Sequence, residues 1–336
     1  MSQRIGEDNN GDSGQIIAAT LSAIAYCNGE ASITNSLAAN LPDWSLAWIP
    51  DVEINGNYAY IAYNQHVQQY AVAIRGSVLD FSWQAFEDWF EQDFNVLYQS
   101  DWAYPTSDQN PMISQGAADG LSDLTSLVST VSAGTPVGML DFLMGHAVDN
   151  NIAILITGHS LGGGLTTVFA PWLYYQIKSA QKQVPDMAVM TFAAPAVGNQ
   201  AFAAAYDSTF PTNSWRYYNS QDIVPMASAS IADMGNLYSP APEASQISTT
   251  YDGYTVTLQE GIIALDAVVI ASEVYNNSVY TQTNSASGSV ELNTSGKLFK
   301  VTATDPLEQW FEQAGAQHSL SNAYLPFLGG QSFTCS

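Results

Sequence analysis

The chain has 336 residues, of which 46% are hydrophobic and 12% aromatic, a composition typical of a folded protein with a large core. Acidic residues outnumber basic residues 31 to 7, which gives a net charge of −24. This charge argues strongly against a nucleic-acid partner, because too few Lys and Arg side chains remain to neutralise phosphates, and against electrostatic attachment to anionic membranes.

No stretch of the chain offers the ~18 consecutive apolar residues that a membrane-spanning helix needs. The nearest is the run over residues 261–271, which is short and contains Asp266. Residues 1–14 are polar and acidic and have neither the basic start nor the apolar centre of a signal peptide. We therefore expect no integral membrane segment.

The first third of the chain predicts a helix, two strands and further helices. Helical spacing of apolar residues indicates a helix over residues 16–27. Residues 58–63 and 68–74 predict strands, because they alternate and are rich in β-branched and aromatic side chains. An acidic, aromatic stretch with helical period follows between residues 77 and 98, and residues 117–131 and 139–148 predict two more helices.

The middle of the chain alternates strands with helices. Residues 152–157 form a wholly apolar run, typical of a strand buried on both faces, and a helical pattern follows over residues 161–181. Residues 188–192 and 215–218 predict further buried strands, with a helix around residues 201–206 between them. This alternation predicts a mainly parallel sheet with crossover helices.

The pattern changes between residues 240 and 304. Residues 262–275 predict one apolar helix. Residues 276–304 are rich in Thr, Ser and Asn with alternating Val, Leu and Phe, which indicates a β-hairpin or small β-insertion. Helical patterns resume over residues 306–313 and 318–327.

The run Gly158-His159-Ser160-Leu161-Gly162 carries the clearest chemical signal, because it lies between the predicted strand 152–157 and the predicted helix 161–181. So tight a strand-to-helix turn strains the backbone of its central residue and leaves room only for glycine two residues before and after it. The turn presents the Ser160 hydroxyl above the sheet at a helix N-terminus, where a developing oxyanion is stabilised. We predict that Ser160 is a catalytic nucleophile.

A serine hydroxyl becomes an effective nucleophile when a base removes its proton. Where a serine occupies such a turn, the order along the chain is serine, acid, histidine, and of the four histidines only His318 follows Ser160. His318 is therefore the predicted base, in a loop between two helices. We expect the His159 side chain to point away from the site, His66 to lie in a polar turn and His146 to end a helix.

The acid that orients the base lies between Ser160 and His318, where several carboxylates compete. Asp222 is best placed, because it follows the predicted strand 215–218 in a loop, where such an acid can fix the imidazole tautomer and stabilise its cation. Asp207 and Asp233 remain alternatives.

The motifs together resemble the fungal-type class 3 lipases of the α/β-hydrolase superfamily. The resemblance covers roughly residues 15–226 and 305–335 and implies a single α/β-hydrolase domain over residues 1–336, with a mainly parallel central sheet flanked by helices. The matching runs, in the family's order, are Ala73-Ile74-Arg75-Gly76-Ser77, Gly158-His159-Ser160-Leu161-Gly162-Gly163, Thr191-Phe192-Ala193-Ala194-Pro195-Ala196-Val197-Gly198-Asn199, Asp222-Ile223-Val224-Pro225 and His318.

The resemblance also implies roles for four further residues. Ser77, through its hydroxyl and N–H, and Leu161, through its N–H, would form an oxyanion hole. Cys27 and Cys335, the two cysteines of the chain, would pair as in some members; the alternative is two unrelated thiols. A bonded pair would indicate a secreted protein, since disulfides persist mainly outside the reducing cytosol. The chain departs from the family by an insertion at about residues 240–304 and an expanded stretch after Ser77.

A lid is expected at about residues 78–98, because in the family a helix after the Arg-Gly-Ser stretch can cover the active site. Trp83, Phe86, Phe90 and Phe94 are spaced three to four residues apart and align along one helical face. Trp83, Phe86, Trp89 and Phe90 are the expected lid and substrate contacts. The alternative is a helix whose aromatic residues pack permanently on the core.

These features together predict a serine hydrolase that cleaves carboxylic esters, with triacylglycerols at an oil–water interface as the leading substrate and without a metal or organic cofactor. One alternative is an esterase for soluble or phenolic esters, similar to feruloyl esterases. Another is a non-catalytic binding module with the same fold. Preference for acyl-chain length separates the first two, and loss of a triad member would mark the third.

Overall fold

A mixed β-sheet with helices on both faces forms the centre of the molecule. The structure, a computed structural model, describes residues 13–51, 56–77, 81–89, 95–104, 110–130, 135–238, 243–284 and 288–336. The strands there are β1 Trp44–Trp48, β2 Ala59–Asn64, β3 Gln69–Ile74, β4 Gln99–Asp101, β5 Met112–Ser114, β6 Val128–Ser129, β7 Val137–Gly138, β8 Ala153–His159, β9 Met187–Phe192, β10 Ser214–Asn219, β11 Ser248–Tyr251, β12 Tyr254–Thr257 and β13 Ser289–Leu292. The helices there are α1 Gly14–Ile24, α2 Gly29–Asn40, α3 Trp83–Asp88, α4 Gln115–Ser126, α5 Met139–Leu143, α6 Leu161–Ser179, α7 Gln200–Thr209, α8 Leu258–Asn276, α9 Pro306–His318 and α10 Leu325–Phe327.

The central sheet has the strand order β1-β2-β3-β8-β9-β10-β13 in the part of the chain that the structure describes. The pairs β1–β2 and β2–β3 are antiparallel, and all pairs from β3 to β13 are parallel. The predicted, mainly parallel sheet is therefore confirmed. The register pairs Gly158 of β8 with Ile74 of β3 and Thr191 of β9, so the carboxyl ends of these three strands meet at one edge.

Alternation along β8 divides the core between the two faces of the sheet. Ile154 and Ile156 belong to a fully buried cluster formed with α4, α5, α6 and α7. Leu155 belongs to the cluster on the opposite face, which includes α1, α2 and α10. Thr157 points to that second face, where its hydroxyl lies 2.9 Å from the Ser22 hydroxyl of α1. Burying each such aliphatic side chain contributes about 1.5–3 kcal/mol, so the two clusters hold the sheet between its helices.

A third apolar cluster forms where α3, α8 and α9 meet the chain that leaves β10. Phe86 of α3, Ile262 of α8 and Trp310 of α9 are almost completely buried within it, together with Ile223. Helix α8 begins at a capping box, in which Thr257 and Glu260 satisfy each other's main-chain N–H groups. This cluster packs the inserted helix against the segment that was predicted to be a lid.

The predicted helix-plus-β insertion is present, with its strands arranged differently from expectation. Its hairpin, β11–β12, precedes α8 rather than following it. The segment over residues 276–304 supplies β13, which pairs in parallel with β10 from Arg216 opposite Ser289 to Asn219 opposite Leu292. Of the two alternatives predicted for these residues, the described strand therefore fits the small β-insertion and not the hairpin, because it pairs with a distant strand of the central sheet.

The two ends of the described chain are joined covalently. Cys27, just after α1, is bonded to Cys335, so the expected disulfide is confirmed. The main-chain N–H of Ser336 also donates to the Ser36 hydroxyl at 3.0 Å. Within the described ranges, no helix has the length and apolar character that crossing a membrane requires.

Candidate active site

Ser160 occupies the sharp turn between β8 and α6. Its φ is +61° and its ψ −132°, a conformation that costs a non-glycine residue roughly 1–3 kcal/mol. The main-chain N–H of Ser160 donates to the Phe192 carbonyl at 2.9 Å, which anchors the strained turn to β9. The Ser160 side chain is buried, and its hydroxyl has no hydrogen-bond partner among the described residues. The turn therefore presents an unpaired hydroxyl at the N-terminus of a helix.

Two glycines allow the turn to close. A Cβ on Gly158 would collide with the main-chain carbonyl of Gly162. A Cβ on Gly162 would collide with the Ile74 carbonyl and the main chain of Arg75. Helix α6 can begin only because neither position carries a side chain, as the sequence spacing predicted.

The chain that leaves β3 crosses directly over Ser160. A Cβ on Gly76 would lie 3.1 Å from the Ser160 Cβ and 2.6 Å from the His159 carbonyl oxygen. Ser77 is the next residue along the chain and borders the same cavity as His318. Leu161 is the first residue of α6, where a main-chain N–H has no partner within the helix. Leu161 thus adjoins Ser160 directly, and Ser77 follows the glycine that lies against it.

His318 and Asp222 form a buried hydrogen-bonded pair. His318 Nδ1 lies 2.8 Å from Asp222 Oδ2, and the two side chains are 5% and 0% exposed. The Val224 N–H donates to Asp222 Oδ1 at 3.0 Å. Because a carboxylate only accepts, His318 Nδ1 carries the proton and Nε2 of the neutral ring is left as an acceptor. That Nε2 is buried and has no partner within the described residues, so it is chemically able to accept a proton.

Tyr324 supplies a further donor to Asp222 that sequence reasoning missed. Its hydroxyl donates to Asp222 Oδ2 at 2.7 Å and accepts from the Asn219 N–H at 3.0 Å. Burial, and then the nearby Asp222 charge, raises the pKa of Tyr324 well above its usual value, so the phenol keeps its proton. Asp222 is therefore fixed by three donors, from His318, Val224 and Tyr324.

A buried amide network joins β10 and β13 to α9. Asn219 Nδ2 donates to the side-chain oxygen of Gln317 at 2.7 Å and to its main-chain oxygen at 2.9 Å. Asn293 Nδ2 donates to Asn219 Oδ1 at 3.1 Å. This network holds the residue before His318 against the sheet edge that carries Asp222, and no sequence pattern had indicated it.

His318 is the last residue of α9, although we expected it in a loop between two helices. The helix extends beyond residue 313 because Gln313, Ala314 and Gln317 pack into the core. A helix C-terminus carries partial negative charge, so this position favours the imidazolium that a general base becomes.

His159 is the main error of the sequence interpretation, because its side chain does not point away from the site. Its ring lies against that of His318, with 4.5 Å between centroids, and it is only 4% exposed. The alternation of β8 could have revealed this position, since Leu155, Thr157 and His159 share the face that packs on α1.

The other histidines and carboxylates lie elsewhere. His66 is in the turn between β2 and β3, with Nε2 3.5 Å from Asp43, and His146 stacks on Phe142. Asp207 accepts from the Asn284 N–H at 2.8 Å, and Asp233 lies in a short turn of helix at Ile231–Asn236. Of the three candidate acids, Asp222 is the one that the structure brings to His318.

Three of the predicted lid aromatics are described, and all three are buried. Trp83, Phe86 and Trp89 are 8%, 1% and 5% exposed. Trp83 Nε1 donates to the Thr250 carbonyl at 2.8 Å, and the Phe86 ring lies 6.1 Å from that of Phe311 in α9. Phe90 and Phe94 lie outside the described residues. The lid aromatics therefore pack against the inserted hairpin and α9.

Phe81 connects the lid segment to the site. Its ring lies 5.5 Å from that of His318 and 5.1 Å from that of Trp89. It also borders a cavity of about 300 Å³, whose other lining residues include Tyr26, Ser77, His318, Leu320 and Phe333. A mostly apolar cavity thus opens beside the His318 imidazole and is walled in part by the segment that the disulfide holds.

The sequence is similar to those of known lipases and phospholipases. Residues 71–231 match the profile of the family described as lipase (class 3). Phospholipase A1-IIalpha of Arabidopsis thaliana is 33% identical over 166 residues, 46% of this chain and 37% of that protein. Lipase ZK262.3 of Caenorhabditis elegans is 37% identical over 90 residues, 27% of this chain and 24% of that protein. The chain therefore spans less than half the length of the curated relatives that it matches.

A solved structure extends the likeness to nearly the whole chain. The crystal structure of M37 lipase superposes with a TM-score of 0.69 at 24% identity and covers 94% of this chain and 92% of that one. At this identity the likeness establishes the fold, which is the α/β-hydrolase fold that the motifs implied. Within that fold, the segment that is similar to class 3 lipases contains both the serine turn and Asp222.

Proposed function

We propose that this protein is a serine hydrolase that cleaves carboxylic esters of lipids, of the triacylglycerol lipase type. The observation that carries the proposal is the presence of two buried side-chain atoms without partners, on residues that belong to the predicted triad. The Ser160 hydroxyl and His318 Nε2 both lack a partner among the described residues, while Asp222 holds the other nitrogen of His318. Buried polar atoms are normally hydrogen-bonded, and these two differ from other unpartnered atoms because one lies at a strained strand-to-helix turn and the other on a ring that a carboxylate orients.

The proposed reaction passes through an acyl-enzyme. The Ser160 oxygen attacks the ester carbonyl while His318 Nε2 takes its proton, and Asp222 stabilises the imidazolium. The N–H groups of Ser77 and Leu161, with the Ser77 hydroxyl, donate to the tetrahedral oxyanion. The imidazolium then protonates the leaving alcohol, and a water activated by the same histidine releases the carboxylic acid.

The substrate class follows from the surroundings of the site. The cavity beside His318 is mainly apolar and is bordered by Phe81 and Phe333, which suits the hydrocarbon part of an ester. The net charge of −24 repels anionic lipid surfaces and favours neutral ones. We propose neutral lipid esters at an oil–water interface as the substrate. We also infer that the protein is secreted, because the Cys27–Cys335 disulfide is stable mainly in oxidising compartments.

The test is hydrolysis of an ester series from acetate esters to long-chain triacylglycerol emulsions, with phosphatidylcholine vesicles and feruloyl esters alongside. Ser160→Ala is expected to abolish activity. Ser228→Ala is the matched control, because Ser228 is also buried, has positive φ and has an unpartnered hydroxyl among the described residues. Activity confined to short or phenolic esters would keep the mechanism and replace the substrate. Activity that survives in Ser160→Ala would refute the proposal.

The same series tests the lid. We propose that the segment over residues 78–98 moves away when the protein meets a lipid surface and exposes the buried faces of Trp83, Phe86 and Trp89. Activity on a sparingly soluble ester should then rise abruptly once droplets form. A linear rise through that concentration would mean that these aromatic residues are a fixed part of the core.

A further inference from the structure

A second buried histidine lies beside the proposed base and has no role in the mechanism given above. His159 ends β8, and its ring centroid is 4.5 Å from that of His318. Both residues are only 4% exposed, so solvent screens little of the interaction between the two rings. A positive charge on His159 would oppose the positive charge that His318 acquires in each catalytic cycle.

The hydrogen bonds of His159 determine its tautomer. Nε2 lies 2.9 Å from the main-chain oxygen of His318. Since a carbonyl oxygen only accepts, Nε2 carries the proton and donates it. Nδ1 lies 2.9 Å from the Tyr26 hydroxyl and, in this tautomer, accepts the phenolic proton. The bonds therefore run in one direction, from Tyr26 to His159 to the His318 carbonyl.

The Tyr26 hydroxyl is itself oriented. It accepts a hydrogen bond from the Gly76 N–H, which leaves its proton for His159. The His159 carbonyl is a more distant acceptor for that proton, at 3.4 Å. Burial raises the pKa of Tyr26 well above its usual value, so the phenol remains a donor. Tyr26 thus links the chain over Ser160 to the ring beside His318.

The charged and titratable surroundings of His159 favour its neutral form. Burial first, and then His318, lowers the pKa of His159 well below its usual value. Among the described residues, the titratable groups that face it are Tyr26 after α1, His318 at the end of α9 and Tyr324 in the following turn, 5.8 Å from ring to ring. The positive charge of Arg75 acts on Tyr26 and opposes the rise of its pKa. Asp222 lies on the other side of His318, where it contacts Nδ1.

We propose that Tyr26 and His159 are positioning residues, which fix the His318 main chain and keep a second positive charge away from the general base. By donating to Nδ1, Tyr26 blocks the site at which His159 would take up a proton. His159, held neutral, donates to the carbonyl of His318 and so sets the height of the imidazole above the sheet. This inference rests on the proposed function, because it concerns the base of that reaction.

The experiment is the pH dependence of kcat/KM on a soluble p-nitrophenyl butyrate, measured for wild type, Tyr26→Phe, His159→Gln and the double variant. In Tyr26→Phe, water replaces the hydroxyl next to the cavity, and water can accept a proton from Nδ1 as well as donate one. The neutral form of His159 loses its advantage and its pKa rises. The acid limb of the profile should then move to higher pH by about one unit, a tenfold loss of kcat/KM on that limb.

The His159→Gln variant distinguishes the effect of a charge on His159 from the effect of its hydrogen bond to the His318 carbonyl. The Gln amide reaches the same carbonyl with an N–H donor and does not titrate, so this variant should keep kcat/KM within about tenfold of wild type at pH 8. Adding His159→Gln to Tyr26→Phe should return the acid limb to its wild-type position. Tyr60→Phe is the matched control, because it removes another buried hydroxyl, which donates to the Leu21 carbonyl at 2.9 Å, and should leave the profile unmoved.

The outcomes separate the two proposals. If Tyr26→Phe lowers kcat/KM equally at all pH values, or if the double variant keeps the displaced acid limb, the positioning role is refuted while the esterase proposal stands. If wild-type hydrolysis is unaffected by Ser160→Ala, the proposed function itself fails. A Tyr26→Phe protein that does not fold leaves His159→Gln as the decisive variant, because a loss well beyond tenfold at pH 8 would also refute the positioning role.

Discussion

Replacing Tyr324 by Phe should weaken the fold far more than it slows the reaction. The change removes one donor to the completely buried Asp222 carboxylate and the acceptor of the Asn219 N–H. A hydrogen bond to a charged group contributes about 1.5–3 kcal/mol, and a buried N–H left unpaired costs about 1–3 kcal/mol. Allowing for partial relaxation, the free energy of unfolding should fall by about 2–4 kcal/mol.

The rate should change little, because the lost bond is present in both states of the reaction. Asp222 is a carboxylate before and after His318 takes its proton, so the Tyr324 hydroxyl stabilises ground state and transition state alike. We expect kcat/KM on a soluble ester to stay within about tenfold of wild type, which corresponds to about 1.4 kcal/mol. Asp222→Asn, which disturbs the imidazole tautomer directly, should by contrast lower kcat by about 10⁴.

Urea unfolding followed by tryptophan fluorescence gives the free energy of unfolding, and initial rates at pH 8 give kcat/KM. Tyr280→Phe is the control, because its buried hydroxyl donates to a neutral acceptor, the Val96 carbonyl, at 2.9 Å. That variant should lose only about 0.5–1.5 kcal/mol. Equal losses of stability in the two variants, or a thousandfold loss of rate in Tyr324→Phe, would refute the reasoning.

Two further predictions concern the covalent and steric frame of the site. Replacing Cys27 and Cys335 together by Ser opens a loop with a sequence separation of 308, which by chain entropy should lower the free energy of unfolding by about 6 kcal/mol. Identical urea midpoints for oxidised wild type and this variant would contradict this prediction. Gly162→Ala places a Cβ against the main chain of β3 and should lower the free energy of unfolding by about 3 kcal/mol and remove most of the activity. Gly145→Ala is the control and should be tolerated, because a Cβ there would meet no atom within 4 Å. Comparable thermal shifts in the two variants would show that the turn is not sterically closed.

The sequence alone predicted those elements whose structure is determined by residues within the same short segment. The serine turn is specified by two glycines, the apolar strand before it and the helix after it, so β8, Ser160 and α6 lie where they were predicted. Helix α1 and strands β2, β3, β9 and β10 follow from periodicity alone and differ from the prediction by a few residues at their ends.

Contacts between distant segments were beyond sequence reasoning. Asp222 and His318 meet across 96 residues, so order along the chain left three candidate acids open. The alternation of residues 276–304 indicated a strand without naming its partner, and β13 pairs with β10 more than 70 residues earlier. Tyr324 resembles any other aromatic residue in a helical pattern, and only the fold reveals that its hydroxyl reaches Asp222.

The bond between Cys27 and Cys335 turns almost the entire chain into a covalent ring. A protease that cuts this ring once, at any point between the two cysteines, opens it without releasing a fragment. The nicked protein keeps its mass on a denaturing gel run without reductant and separates into two pieces only when thiol is added. In an environment rich in proteases, a single cut therefore leaves the serine, the acid and the histidine on one connected molecule.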